Sequence, residues 1–191
     1  APVLDLAVHD NALHVVGPFT GVVGQPTDGL ARWNGSSWST QAGAAGVSVL
    51  ATSPAGLYAG GGFRVLADTP LDHVARWQGN AWTPLGVRVG SGPNGGVATI
   101  VSRGADLILT GDFTQVDSQF AYGLALLRNG AFAALAPEYG IFLATAVDTN
   151  NLYVAGSFGQ MGGVAALNIA RWDGTNWFPL GGGVGTAVVS G

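Results

Sequence analysis

The chain contains no cysteine, no lysine, a single glutamate (Glu138) and a single methionine (Met161) among its 191 residues. Without cysteine there are no disulfides, no thiolate chemistry and no cysteine-held zinc or iron–sulfur site. All seven basic residues are arginines, scattered singly, and the formal net charge is −4. No basic patch for nucleic acid can be drawn from them. Charged residues make up only 9% and apolar residues 48% of the chain, the reverse of the balance that keeps a chain disordered. Long apolar runs are missing too. The longest, Ile141 to Val147, is broken by Thr145 and falls well short of the roughly 20 residues a membrane span needs. The chain opens Ala1-Pro2-Val3 without a basic-then-apolar leader, which fits a mature secreted chain and equally an excised fragment. There is no Gly-x-Ser-x-Gly elbow, and the runs Gly60-Gly61-Gly62 and Gly181-Gly182-Gly183 are followed by no lysine and no helical pattern, so they are not phosphate loops.

What is abundant is glycine, at 32 residues, together with β-branched residues and tryptophan. That mixture points to an all-β chain with many turns. The decisive feature is an internal repeat. Leu-x-x-x-Gly-x-Phe occurs four times: Leu13, Gly17, Phe19; Leu57, Gly61, Phe63; Leu107, Gly111, Phe113; Leu152, Gly156, Phe158. Fourteen residues after each Phe stands Trp33, Trp77, Leu127 or Trp172, and five residues later Trp38, Trp82, Phe132 or Trp177. All six tryptophans sit at these two anchors. The copies start 44, 50 and 45 residues apart, and all length variation falls between the last anchor and the next Leu. Repeats of about 4–47, 48–97, 98–142 and 143–185 follow, with the start of a fifth at 186–191. The longest connection carries Gly90-Ser91-Gly92-Pro93-Asn94-Gly95-Gly96 and reads as an exposed loop insertion.

Each copy reads as four short antiparallel strands. An apolar first strand precedes a turn, as in Leu6-Ala7-Val8 before Asp10-Asn11. In the second strand, period-2 alternation puts Leu152, Val154, Gly156 and Phe158 on one face and Tyr153, Ala155 and Ser157 on the other. A glycine recurring inside a strand implies close backbone approach, which crowding of inner strands about a central axis would explain. The third and fourth strands form a hairpin around Asn34-Gly35, Gln78-Gly79, Asn129-Gly130 or Asp173-Gly174, with the two aromatic anchors facing each other across the turn. Between the second and third strands lies a ten-residue loop whose one recurrent apolar residue (Val22, Leu66, Val116, Met161) reads as a buried peg. A module this small must stack on copies of itself. Stacking four-stranded modules radially gives the blades of a β-propeller, with the Trp pairs filling the gaps between blades. Counting Thr186 to Ser190 there are seventeen strands, one more than four blades need. Either the chain belongs to a longer propeller, or chains combine into one ring, or one strand is spare.

The stretch Leu152-Tyr153-Val154-Ala155-Gly156-Ser157-Phe158, then Asn168-Ile169-Ala170-Arg171-Trp172-Asp173-Gly174, then Trp177 and Leu180-Gly181, resembles secreted bacterial kelch-like propeller repeats and the repeats of a family of fungal cell-surface proteins. The resemblance implies a propeller at the cell surface or secreted, without a known reaction. The hairpin also resembles the Trp-Asp-Gly-x-x-Trp turn of fucose-binding propeller lectins, which pair an Arg with a Glu and a Trp at each sugar site. Here the one glutamate, Glu138, lies outside the motif.

Few residues stand out as chemistry. Arg32, Arg76 and Arg171 recur just before a Trp, where the third copy has Leu126. They read either as a ring of sugar or carboxylate binders or as strand-face arginines that stack on an aromatic or pair with a loop Asp. Recurrence in step with the architecture favours the second. Asp68, Asp72 and His73 form the densest polar cluster, a candidate ligand-contact loop that the other copies do not repeat, which favours a solvated loop. His9 and His14 flank one turn and fit ordinary surface or strand positions. No catalytic residue, cofactor or metal site is expected. The expectation is a non-catalytic extracellular binding or structural scaffold whose partner is a protein or glycan surface ligand, with a carbohydrate-binding lectin as the alternative and a propeller-enzyme fragment the remotest.

Overall fold

A computed structural model describes residues 1–41, 43–67, 69–79, 81–85, 92–135 and 138–185. Among them every regular element is a β-strand. Module one contains β1 (Asp5–His9), β2 (Ala12–Val16), β3 (Gly21–Val22), β4 (Gln25–Pro26), β5 (Leu30–Trp33) and β6 (Trp38–Gln41). Module two contains β7 (Val47–Ser53), β8 (Gly56–Gly61), β9 (Val65–Leu66), β10 (Thr69–Pro70), β11 (Val74–Trp77) and β12 (Trp82–Pro84). Module three contains β13 (Val97–Arg103), β14 (Asp106–Gly111), β15 (Gln115–Val116), β16 (Gln119–Phe120), β17 (Leu124–Arg128) and β18 (Ala131–Ala134). Module four contains β19 (Ile141–Val147), β20 (Leu152–Ser157), β21 (Gln160–Met161), β22 (Val164–Ala165), β23 (Ile169–Trp172) and β24 (Trp177–Pro179). The longer strands of each module form one antiparallel sheet in chain order, β1-β2-β5-β6 in the first and its equivalents in the rest.

The segment between the second and third long strands is not the plain loop that its variable sequence suggests. In every module it folds into a tiny hairpin, β3–β4, β9–β10, β15–β16 or β21–β22. The apolar peg ends its first strand; Leu66, Val116 and Met161 are buried and Val22 is half-buried. The turns carry positive φ at Val23-Gly24, Asp117-Ser118 and Gly162-Gly163. Only the last pair has the composition that announces such a turn. The loop insertion of the second connection differs from expectation as well. Gly90 and Ser91 lie outside the described residues, but Gly92 and Pro93 are buried rather than exposed. The next residue anchors them: the Asn94 side-chain oxygen accepts the backbone N–H groups of Thr114 and Gln115 at 2.8 and 3.0 Å. The strand expected at Thr186 to Ser190 lies outside the described residues.

The sheets stack in chain order, with β7 against β1, β13 against β7 and β19 against β13. Alternation along the second strand decides which face meets which neighbour. The Leu-x-x-x-Gly-x-Phe face points to the preceding module. Leu57, Ala59 and Phe63 pack with Val16 and Leu30 of module one. Leu107, Leu109 and Phe113 pack with Tyr58 and Val74 of module two, and Leu152, Val154 and Phe158 with Ile108, Leu124 and Leu126 of module three. The anchor pairs behave as their spacing requires: Trp33–Trp38, Trp77–Trp82 and Trp172–Trp177 are cross-strand neighbours with ring centroids 5.4, 5.2 and 6.3 Å apart, and Leu127 faces Phe132.

The recurrent glycine is crowded by neighbouring backbone at the entry to its own sheet. A Cβ on Gly61 would overlap the carbonyl oxygen of Gly46, and one on Gly111 or Gly156 would meet the carbonyl of Gly96 or Ile141 in the same way. Gly17 stands equally close to Pro2. In modules two to four these positions adjoin a shift in register between the first and second strands. Such a bulge folds the entering backbone toward its partner. Gly61→Ala is therefore expected to cost about 1–3 kcal/mol, because the obstacle is backbone and cannot swing away. Chemical denaturation checks it; a loss below about 0.5 kcal/mol would mean that the first strand is free to move aside.

Candidate functional site

The buried anchors Trp82, Trp172 and Trp177 are consumed by packing, so the polar residues that differ between modules are where a ligand could be read. They collect in the clefts between adjacent sheets. The strand pairing places His14 opposite Arg32 in module one, Tyr58 opposite Arg76 in module two, Ile108 opposite Leu126 in module three and Tyr153 opposite Arg171 in module four. In modules one to three this pair lies on the face toward the following module, whose anchor Trp77, Leu127 or Trp172 closes the cleft.

The first cleft encloses about 360 Å³ and is lined by His9, Asp10, His14, Arg32, Gln41 and, from module two, Trp77. His14 is 2% exposed and its Nδ1 has no hydrogen-bond partner. Burial holds its pKa down to about 4, aided by the nearby Arg32 guanidinium and by His9 and opposed by Asp10. The buried imidazole is therefore neutral at pH 7, beside a half-buried cation and an indole. Asp10 is exposed and lies 3.3 Å from His9.

The second cleft is smaller, about 250 Å³, and more apolar, with Tyr58, Arg76 and Leu85 facing Leu107 and Leu127. Arg76 is held there by the carbonyl of Ala55. The third is filled by protein. Arg103 lies with its guanidinium carbon 4.5 Å from the centre of the Trp172 ring, and Asp106 receives Arg103 at 3.4 Å and Arg128 at 2.7 Å. The Arg128 hydrogen bond leads in holding the Asp106 carboxyl below its ordinary pKa. One position in the repeat thus carries a polar opening, an apolar opening and a closed ion network.

No protein-family model matches this chain, and no curated protein matches it.

The residues singled out in the sequence fall differently. Asp68 lies outside the described residues. Asp72 is half-buried. His73 is buried and has a backbone role: its φ is +63°, and its carbonyl accepts the N–H of Gly61 at 3.1 Å. Gly29, Gly123 and Asn168 occupy the same corner with φ of +93°, +84° and +63° and accept from Gly17, Gly111 and Gly156. His73 is therefore the second module's version of a repeated left-handed corner, which accounts for its place without a ligand. Among the described residues no group of three His, Cys, Asp or Glu is placed to hold a metal ion.

Of the recurring arginines, Arg171 stacks 4.4 Å from the Phe178 ring centre and donates to Asn151 at 2.9 Å. Arg32 instead lines the first cleft. Glu138 accepts the backbone N–H groups of Gly162 and Gly163 at 3.1 and 2.6 Å, bracing the β21–β22 turn, so it belongs to no inter-sheet cleft. His14, expected at an ordinary surface or strand position, is the residue that sequence reasoning missed. Its signal was its place in the repeat, level with the apolar Ile108 and the Tyr58 that are buried in later copies.

Proposed function

We propose that the four modules are consecutive blades of a β-propeller that serves as a non-catalytic, secreted or cell-surface binding scaffold. The observation that carries this reading is the division of labour in the repeat. Residues shared by the copies bury each other, while residues that vary gather in the clefts between sheets and in the short hairpins. A constant frame with variable openings is how a propeller presents binding surfaces. The resemblance to secreted bacterial and fungal surface repeats supports the location.

A second reading, a carbohydrate-binding lectin, is favoured by the first cleft alone. Arg32, the neutral His14 imidazole and the Trp77 indole supply a cation, a polar ring and an apolar platform. A sugar ring bearing hydroxyls and a carboxylate would use all of them. Titrating the chain with neutral and hexuronic-acid oligosaccharides, followed by tryptophan fluorescence, separates the readings. Saturable binding to the acidic sugars, weakened roughly thirtyfold in Arg32→Ala at an unchanged melting temperature, would make the chain a lectin. No binding leaves the scaffold reading in place, and cleavage of any oligosaccharide would overturn the non-catalytic assignment.

A further inference from the structure

The junction between modules three and four departs from the repeat at one place. At the far end of β14 from Asp106 a cleft of about 390 Å³ opens, with Asp112, Thr114, Tyr122, Tyr139 and Phe142 in its wall. Three of these residues differ in chemistry from their equivalents. Asp112 stands where Pro18, Gly62 and Ser157 follow the recurrent glycine. Tyr122 stands where Asp28, Asp72 and Leu167 precede the left-handed corner, and Tyr139 where Ala44 and Asn94 precede the next sheet. The added rings do not serve the core. Tyr139 is 77% exposed, and Phe120, stacked on Tyr122 with centroids 5.7 Å apart at 11°, is 59% exposed. Tyr122 also has a φ of +40°, and of the four residues at its level it alone is positive. A bulky side chain is strained in that region, and such strain clusters at ligand sites.

The chemistry of the wall selects the ligand. Tyr122 and Tyr139 meet at 70° with centroids 6.1 Å apart, so their rings form a corner. Aromatic faces are electron-rich and attract a cation. Asp112 is exposed, and among the described residues its carboxylate has no hydrogen-bond or ion-pair partner. Among the described residues no Arg or His lines the cleft. At the first junction the nearby carboxylate, Asp28, is instead taken by the Gly43 N–H at 3.1 Å. A primary ammonium or a guanidinium would need an acceptor for each N–H it withdrew from water, and Asp112 is the one charged acceptor here. A quaternary ammonium has no N–H and makes no such demand. We propose that this cleft binds a small quaternary ammonium compound, its methyl groups against the Tyr122 and Tyr139 rings and its charge beside Asp112. An attached phosphate or carboxylate would be repelled by Asp112, so the ligand is a free cation of the choline kind and not a phosphocholine headgroup. The proposal depends neither on how the modules close nor on the acidic-sugar reading of the first cleft.

Isothermal titration calorimetry of the full 191-residue chain with choline chloride and tetramethylammonium chloride tests it. The control is the uncharged carbon isostere of choline, in which a tert-butyl group replaces the trimethylammonium. Both salts are expected to bind saturably, and the isostere roughly tenfold more weakly. Tyr139→Ala and Asp112→Asn should each weaken choline by about tenfold, while Tyr139→Phe, which keeps the ring, should retain it. Arg32→Ala, in the first cleft, should leave choline binding unchanged. Tyr139 and Asp112 are exposed, so the melting temperatures of their variants should stay close to the wild type, which separates a lost contact from a lost fold. Absence of binding by both salts overturns the proposal. So does an isostere that binds as tightly as choline, which would make the cleft an apolar pocket only. Binding that survives both Tyr139→Ala and Asp112→Asn would lie elsewhere and overturns it as well. Co-sedimentation with phosphatidylcholine vesicles, without binding of either free salt, would make the source a membrane surface and likewise overturn it.

Discussion

Trp172→Ala is expected to lower the unfolding free energy by about 3–5 kcal/mol in a urea titration. The indole is 5% exposed and belongs to the core shared by modules three and four, with Trp177 beside it and Ile108 and Leu126 opposite. It also carries the Arg103 guanidinium, which Asp106 holds in place. Truncation therefore opens a cavity and removes the aromatic platform from a cation that is 11% exposed. The loss should be partly recovered in Trp172→Leu, because module three fills the same position with Leu127. If Trp172→Ala left the melting temperature unchanged and altered sugar binding instead, the residue would be a ligand contact and the packing account would fail.

The second large effect is a loss of stability in mild acid. Folded His14 stays neutral down to about pH 4, while an unfolded histidine takes up its proton near pH 6.5. Between those values the unfolded state binds more protons, so stability falls as the pH drops through the window and is fully present above it. Each pH unit within the window removes up to about 1.4 kcal/mol, giving about 3 kcal/mol in total. The groups that face the imidazole are His9, Asp10 and Arg32. His14→Tyr, which installs the residue that module two buries at the same level, should flatten this limb of the curve while leaving the carboxylate-driven unfolding at lower pH. Urea midpoints at pH 7 and pH 4.5 for both proteins decide the matter. Parallel curves would place the source of the acid sensitivity elsewhere.

The cleft around His14 shows why sites of this kind are hard to read from a linear sequence. His14 and Arg32 come from two strands of module one and Trp77 from the hairpin of module two. Each looks ordinary at its own position, and no spacing links the three. Asp68, Asp72 and His73 were conspicuous because they are close in sequence, yet His73 answers a backbone requirement that Gly29, Gly123 and Asn168 meet in the other copies. Its polarity drew attention, whereas its φ explains its place. The small hairpins escaped notice for a related reason. Val23-Gly24 and Asp117-Ser118 turn at positive φ without the usual residue pairs, beside a half-buried Val22 and a buried Val116.

The repeat period, the four long strands of each module and the pairing of Trp33 with Trp38, Trp77 with Trp82 and Trp172 with Trp177 were determined by the sequence alone. Alternation along a strand and glycine at a turn are local preferences, and a register repeated four times leaves little choice of partner. Tertiary structure alone decided which of these equivalent residues are covered. Trp38 and Trp177 hold the same place in the repeat, yet Trp177 is buried and Trp38 is half-buried, because module three packs against the fourth sheet at that place and, among the described residues, no sheet packs on Trp38 in the same way. Burial is a property of the neighbour as much as of the residue, and that neighbour lies one module away in the chain.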